Sequence, residues 1–259
     1  MKTTDQDVAL SVDHLTMAYG ERVIQRNLSF DVGRGDIFII MGGSGCGKST
    51  LLRHLVGLKE PANGHVCYGE ASLYDVSSSE QRALMKRIGI LYQGGALFSA
   101  MTLFENVALP IFQYTDYTKA EVRELVQFKL SLVGLGGFEH HFPAEISGGM
   151  KKRAGLARAM ALDPEILFFD EPSAGLDPLS ARRLDDLILE LKDSLGATVV
   201  VVTHELASIF AIGTNSVFLD AGQKTMIASG NPRELLRHST DPRVIRFLTR
   251  GENSFSEAS

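Results

Sequence analysis

The chain has 259 residues, 44% hydrophobic and 22% charged, with a formal net charge of -5. That balance is ordinary for a globular protein with a core of its own, and the acidic excess argues against nucleic acid as a partner. Two cysteines, Cys46 and Cys67, make no disulfide framework and fit a reducing compartment. No apolar run approaches the roughly 18–20 residues that cross a bilayer, and the polar N-terminal stretch MKTTDQDVAL is unlike a signal peptide. The expectation is a cytosolic protein that reaches a membrane only through a partner.

Along the chain, Val8–Leu15 alternates and predicts a strand, and Leu28–Val32 predicts a second. Ile37–Met41 is a continuous β-rich run, the pattern of a strand buried on both faces. A glycine-rich loop follows it. Lys48–Leu58 then has helical spacing, with Leu51, Leu52, Leu55 and Leu58 on related faces. Pro61, Asn63 and Gly64 predict a turn before a short strand at His65–Tyr68, and Ile88–Tyr92 predicts another strand. From Gln93 to Met160 strand signals are few and helical patterns dominate, notably Lys119–Val133 and Gly149–Leu162. Buried-strand patterns resume at Ile166–Asp170, Thr198–Thr203 and Ser216–Leu219, with a helix over Leu179–Leu195. Alternating strands and helices predict a mostly parallel sheet covered on both faces, interrupted by a helical insertion. Asp241-Pro242 reads as an N-cap and first helical residue for a helix over Arg243–Arg250. The polar tail 251–259 is expected to be disordered.

The residues Gly42-Gly43-Ser44-Gly45-Cys46-Gly47-Lys48-Ser49 fit the phosphate-loop pattern G-x-x-x-x-G-K-[ST] in its required setting, between a strand and a helix. Glycines let successive backbone N–H groups face an anion, and the helix N-terminus adds positive partial charge. Lys48 is expected at the terminal phosphates and Ser49 on Mg2+, beside Thr50. The run Ile166-Leu167-Phe168-Phe169-Asp170-Glu171 ends a buried strand in two carboxylates, at the sheet edge where ligands bind. Asp170 is expected to hold Mg2+ through water, and Glu171 to polarise an attacking water. Cys46, at a helix N-terminus, allows the reading of a thiol with lowered pKa, beside the plainer one of a small residue tolerated in a tight loop.

A second anion site is legible. Ile146-Ser147-Gly148-Gly149-Met150 precedes a helical stretch carrying Lys151, Lys152, Arg153 and Arg158, so Ser147, Gly148 and Gly149 sit at another helix N-terminus. Two such cradles in one chain suggest head-to-tail copies completing each other's sites. This segment resembles the signature motif of ABC ATPases, and the family's other motifs follow in order along nearly the whole chain. The resemblance implies that Tyr19 stacks on adenine and that Gln93 reaches Mg2+ and reports to a permease. It also implies that Asp177, ending the Ser173–Asp177 loop, lies at the dimer contact, and that His204 is the switch histidine near the γ-phosphate. Plainer readings stand beside these. Tyr19 fits a half-buried aromatic, Gln93 a strand end, His204 a cap on the following helix, and Asp177-Pro178 a helix start. Met150 stands where the family usually has glutamine, and its thioether makes no strong hydrogen bond.

The fold so implied is α/β, a RecA-like P-loop NTPase core with an ABC-type antiparallel β subdomain and an inserted α-helical subdomain. Its expected boundaries are 1–92 and 161–230 for the core, 93–160 for the helical subdomain and 231–259 for a C-terminal helix and tail. The stretch SGGMKKRAGLARAMALDP, with QGGALF at Gln93–Phe98, LFENVALP at Leu103–Pro110 and DPRVIRFL at Asp241–Leu248, looks like the ATPases of the Mla and related MCE-associated transporters. That likeness implies an ATP- and Mg2+-dependent ATPase homodimer at the cytoplasmic face of the bacterial inner membrane. Above it the partners would be an integral membrane permease dimer, an MCE-domain substrate-binding protein and a small accessory subunit, with phospholipid or a related hydrophobic molecule as cargo. Alternatives are the ATPase of an importer or exporter for another substrate, a cytosolic ABC protein without a permease, and a non-hydrolysing scaffold. Two fused ATPase halves, long coiled coils or zinc-binding cysteines would mark the cytosolic class, and the sequence has none; Glu171 and His204 argue against the scaffold.

Overall fold

The computed structural model describes residues 8–251, so the expected tail disorder falls, but for Gly251, outside the described residues. The chain divides into two compact units, residues 75–201 and the two flanking stretches.

The first unit opens with β1 (Val8–Tyr19) and β2 (Arg22–Gly33), then β3 (Ile37–Gly42), α1 (Lys48–Leu55), β4 (Asn63–Tyr68) and β5 (Ala71–Ser72). After the second unit it closes with α7 (Leu206–Ile212), β9 (Asn215–Asp220), β10 (Thr225–Ser229), α8 (Pro232–His238) and α9 (Pro242–Leu248). An antiparallel sheet has the order β2-β1-β4-β5, and β10-β9-β3 are consecutive strands of another sheet. β3 and β9 run parallel, from Phe38 opposite Asn215 to Gly42 opposite Leu219. All six residues of β3 are buried, as the unbroken apolar run predicts. Phe30 of β2 stacks on Phe38 at 5.3 Å between ring centroids.

Three boundaries differ from the sequence reading for identifiable reasons. β1 and β2 extend beyond Leu15 and before Leu28 because the sheet tolerates irregular register at His14 and Asn27, both with positive φ, which breaks the alternation without ending the pairing. α1 stops at Leu55, short of Leu58. Gly57 takes φ +73, and the N–H groups of Gly57 and Leu58 return to the carbonyls of His54 and Arg53. That is a Schellman closure, so Leu58 carries helical spacing without being helical.

The second unit contains α2 (Ser78–Met85), β6 (Ile88–Leu91), α3 (Leu103–Tyr114), α4 (Lys119–Leu132), α5 (Gly148–Ala159), β7 (Ile166–Asp170), α6 (Pro178–Leu195) and β8 (Thr198–Val202). Its strands lie in the order β8-β7-β6, with β6 and β7 parallel. Three helices start on reciprocal capping boxes: Ser77 with Glu80, Thr102 with Glu105, and Thr118 with Glu121. Each satisfies two otherwise orphaned groups at the helix start. α2, β5, β10, α7 and α8 are short elements that the periodicity did not mark.

Candidate nucleotide-hydrolysis site

In the first unit, β3 feeds the phosphate loop. Gly42, at φ +149, lies against the end of β9, where an added Cβ would come within 2.3 Å of the Leu219 carbonyl oxygen. Gly47, at φ +100, is the N-cap of α1 and offers no side-chain cap. The first-turn N–H groups of α1 are thus left for an external anion. The Lys48 ammonium lies over the loop, donating to the carbonyls of Gly42 (2.9 Å) and Gly43 (3.2 Å). Gly43, Ser44 and Gly45 are exposed, as is Ser49, while Thr50 is half-buried.

Tyr19 closes β1 with 47% of its surface exposed. Its hydroxyl bonds to the side chains of Thr50 and Arg53, contacts that pull its pKa below the usual phenol value. Lys59 sits over the ring, 3.0 Å from the centroid. The ring is thus exposed and held by three neighbours, unlike the half-buried aromatic of the plainer reading. His204 follows β8 with its side chain 56% exposed and 3.8 Å from Glu205. The N-cap of α7 is Glu205, so His204 does not cap that helix. Cys46 fits the plainer of its two readings, a small buried residue. It is 1% exposed, and burial pushes its thiol pKa up despite nearby Lys48. The desolvation penalty outweighs the helix terminus.

In the second unit, β7 delivers four buried apolar residues and then half-buried Asp170. Glu171 follows at φ +49, a left-handed conformation rare for a side-chain-bearing residue. Lys152 of α5, only 6% exposed, reaches it and donates from its ammonium to the Glu171 carbonyl at 3.2 Å. Burial lowers the Lys152 pKa, and the Glu171 carboxylate acts to raise it. Ser147 is the N-cap of α5, its hydroxyl accepting from the Met150 N–H at 3.2 Å. Gly148 and Gly149 form the first turn. Asp177 caps α6, accepting from the N–H groups of Leu179 and Ser180, both at 3.0 Å, so the helix-start reading of Asp177-Pro178 holds.

Gln93 is exposed on a loop held from behind. Arg158 donates to the carbonyls of Ala96 (2.7 Å) and Gly95 (3.1 Å). Buried Asn106 ties the far end, exchanging bonds with both backbone groups of Phe98 and donating to the carbonyls of Met101 and Thr102. The segments QGGALF and LFENVALP therefore share one job, fixing the Gln93 loop. Among the described residues no cluster of three or more His, Cys, Asp or Glu could hold a metal. Mg2+ keeps waters and is bound through one or two carboxylates and the substrate's phosphates, so it needs no such cluster.

The ABC transporter family profile matches residues 25–174. The chain belongs to the ABC transporter family. MlaF of Haemophilus influenzae, an intermembrane phospholipid transport system ATP-binding protein, is 41% identical over 94% of this chain and 91% of its own length. MlaF of Escherichia coli K12 is 40% identical, over 94% and 90%. The mkl protein of Mycobacterium leprae, named as a ribonucleotide transport ATP-binding protein, is 40% identical over 93% of this chain but only 69% of its own. Among solved structures, cbiO1 of Clostridium perfringens, part of the ABC transporter complex cbiONQ, superposes with a TM-score of 0.82 at 28% identity, covering 94% and 95% of the two chains. The dimeric ATP-binding cassette MJ0796 in a post-hydrolysis state with ADP and Pi gives 0.77 at 30% identity, covering 86% and 98%. The expected ABC ATPase fold is thus the observed one, and this ABC ATPase takes ATP with Mg2+. No helix among the described residues is long and apolar enough to cross a membrane.

Proposed function

We propose that this chain powers the movement of phospholipid, or a related hydrophobic molecule, between bacterial envelope membranes. It would do so as a homodimer at the cytoplasmic face of the inner membrane, beneath a permease dimer with an MCE-domain partner and a small accessory subunit. The observation that carries this reading is identity of about two residues in five with the MlaF proteins over nine tenths of both lengths. The dimer is supported by the dimeric cassette among the structural neighbours.

In the proposed cycle Tyr19 stacks on adenine, and the phosphate loop with Lys48 receives the β- and γ-phosphates. Ser147, Gly148 and Gly149 of the second copy close on the γ-phosphate, near the Asp177 dimer contact. Glu171 accepts a proton from the attacking water as its oxygen bonds to the γ-phosphorus. The bond to the β–γ bridging oxygen breaks, and the charge left on ADP rests on Lys48 and the loop N–H groups, the electrostatic term that dominates phosphoryl transfer. His204 donates a hydrogen bond to the γ-phosphate. Ser49, Gln93 and Asp170 would hold Mg2+, which neutralises phosphate charge when bound.

A cavity of about 340 Å³ in the second unit is lined by Met85, Ile90, Leu109, Tyr114 and Arg158. Arg158 also grips the Gln93 loop, so a permease helix seated there has a direct route to Gln93. A second reading, nucleotide transport, is favoured by the mkl relatives, but the chain spans only about two thirds of their length.

The test is purification of the chain with its partners from detergent-solubilised native membranes. The lipid reading expects a multispanning permease, an MCE-domain protein and bound phospholipid. A permease with a soluble solute-binding protein and no lipid would overturn it in favour of another cargo.

A further inference from the structure

Gln25 lies in the middle of β2, opposite Met17 of β1, and is fully buried. Its side-chain amide nitrogen donates to two backbone carbonyls, Cys46 at 2.7 Å and Asp220 at 3.0 Å. Its amide oxygen is buried with no protein partner. A buried amide with one end unmatched adds little net stability over an apolar residue of the same size. The two bonds it does make join functional backbone to scaffold.

Their direction matters. The Cys46–Gly47 peptide is trans, as all are among the described residues. In a trans peptide the C=O and the following N–H point opposite ways. Gln25 grips the Cys46 oxygen, so the Gly47 N–H is turned away from β2. Gly47 is the uncapped start of α1, and its N–H is one of the donors a phosphate would meet. The neighbouring Ile24 packs so closely that a Cβ on Gly47 would come within 2.7 Å of its Cγ2. β2 therefore shapes the loop from behind by contact and by hydrogen bond together. The second acceptor, Asp220, ends β9, and the adjoining Leu219 carbonyl is the surface on which Gly42 rests. Asp220 is itself braced: its carboxylate accepts from the Gln223 N–H at 2.6 Å and pairs with Arg243 of α9 at 3.2 Å. The DPRVIRFL segment thus supports the same anchor.

We propose that Gln25 is a positioning residue for ATP binding, holding the Cys46–Gly47 peptide so that the Gly47 N–H faces the substrate phosphate. This rests on reading residues 42–49 as the ATP phosphate loop. The test compares the full-length chain with Gln25→Met, which keeps length and apolar bulk without a donor, and with Lys48→Ala. ATP affinity is read by displacement of a fluorescent ATP analogue, turnover by phosphate release, and fold by melting without nucleotide. Gln25→Met is expected to weaken ATP binding and raise KM roughly tenfold, as loss of one hydrogen bond to a charged group does, with kcat at saturating ATP within about twofold. Its melting temperature is expected to stay within a few degrees of the parent. ATP affinity within about twofold of the parent in Gln25→Met, with Lys48→Ala clearly weakened, would overturn the inference alone. Unchanged affinity in Lys48→Ala would overturn the loop reading beneath it. Should Gln25→Met not fold, the parent protein labelled with 15N-glutamine decides. The Gln25 side-chain amide signals are expected to be protected from solvent exchange and to shift on ATP addition, and signals indifferent to ATP would refute the assignment.

Discussion

Replacing Lys152 by methionine tests how Glu171, the proposed hydrolytic carboxylate, is held. Glu171 adopts φ +49, a conformation that costs a side-chain-bearing residue about 1–2 kcal/mol. The Lys152 ammonium donates to its carbonyl at 3.2 Å from a site only 6% exposed, and a buried hydrogen bond from a charged donor contributes about 1.5–3 kcal/mol. The two magnitudes match, so without the donor the left-handed turn no longer dominates. At about 1.4 kcal/mol per factor of ten, the loss translates into a fall in kcat of roughly 10- to 100-fold. Methionine keeps the apolar stem in place, so the fold survives. The phosphate loop is untouched, and ATP affinity should stay within about twofold, well under the 1.4 kcal/mol of a tenfold change. The assay is phosphate release across an ATP titration, with ATP binding measured separately. Lys152→Arg, which restores a donor, should recover part of the rate. A kcat equal to the parent's, or a loss of affinity as large as the loss of kcat, would refute the argument.

Glu171→Gln keeps shape and removes the proposed base; turnover should fall about 10²–10⁴-fold while ATP still binds, and near-normal phosphate release would show that another group takes the proton. Cys46 should label more slowly than half-buried Cys67 with a thiol reagent near neutral pH, because burial raises its pKa; mass spectrometry of labelled peptides checks the order. Asp241 caps α9, and its side-chain bond to Arg243 draws its carboxyl from 3.8 down to about 2. A carboxyl depressed in the folded state stabilises above its unfolded pKa and loses that contribution as pH falls through the folded one. The α9 contribution should therefore be intact above pH 4 and disappear toward pH 2. Asp241→Asn should remove this part of the acid-unfolding profile, and an unchanged profile would count against the cap. Thr118→Ala should cost about 1 kcal/mol by breaking the α4 capping box, read from chemical denaturation.

Much of the site was legible because its chemistry lies in contiguous runs. The phosphate loop needs glycines, a lysine and a serine in one stretch, and β7 needs four apolar residues before two carboxylates. The capping boxes are equally local but were not read from the sequence, and α2 is too short to establish a period. The supports were not legible. Gln25 lies before the strand predicted from Leu28, and its acceptors lie 21 and 195 residues away along the chain. Lys152 sits in the run Lys151-Lys152-Arg153, which reads as a solvated basic face, while the fold buries its middle member. Cys46 was legible only as two alternatives. Its neighbours in sequence allow an activated thiol or a small buried residue, and packing decides for the second through desolvation.

The supports have a common form. Gln25 donates to the carbonyl just before Gly47, at φ +100; Lys152 donates to the carbonyl of Glu171, at φ +49; Arg158 donates to the carbonyls of Gly95, at φ +75, and Ala96, at φ +49. These three loops each contain backbone in the left-handed region, and in each a carbonyl of or next to such a residue is held by a buried or half-buried side-chain donor. A carbonyl fixes its peptide plane, and the plane fixes where the next N–H points. Strain kept at a working site has to be over-determined by its surroundings, and a long donor arriving from a regular element does this without occupying the space the substrate needs. On this argument the glycines and carboxylates set which chemistry is available, and Gln25, Lys152 and Arg158 set whether those groups are aimed. Loss of any of the three should therefore show first in KM or kcat and only later in melting temperature.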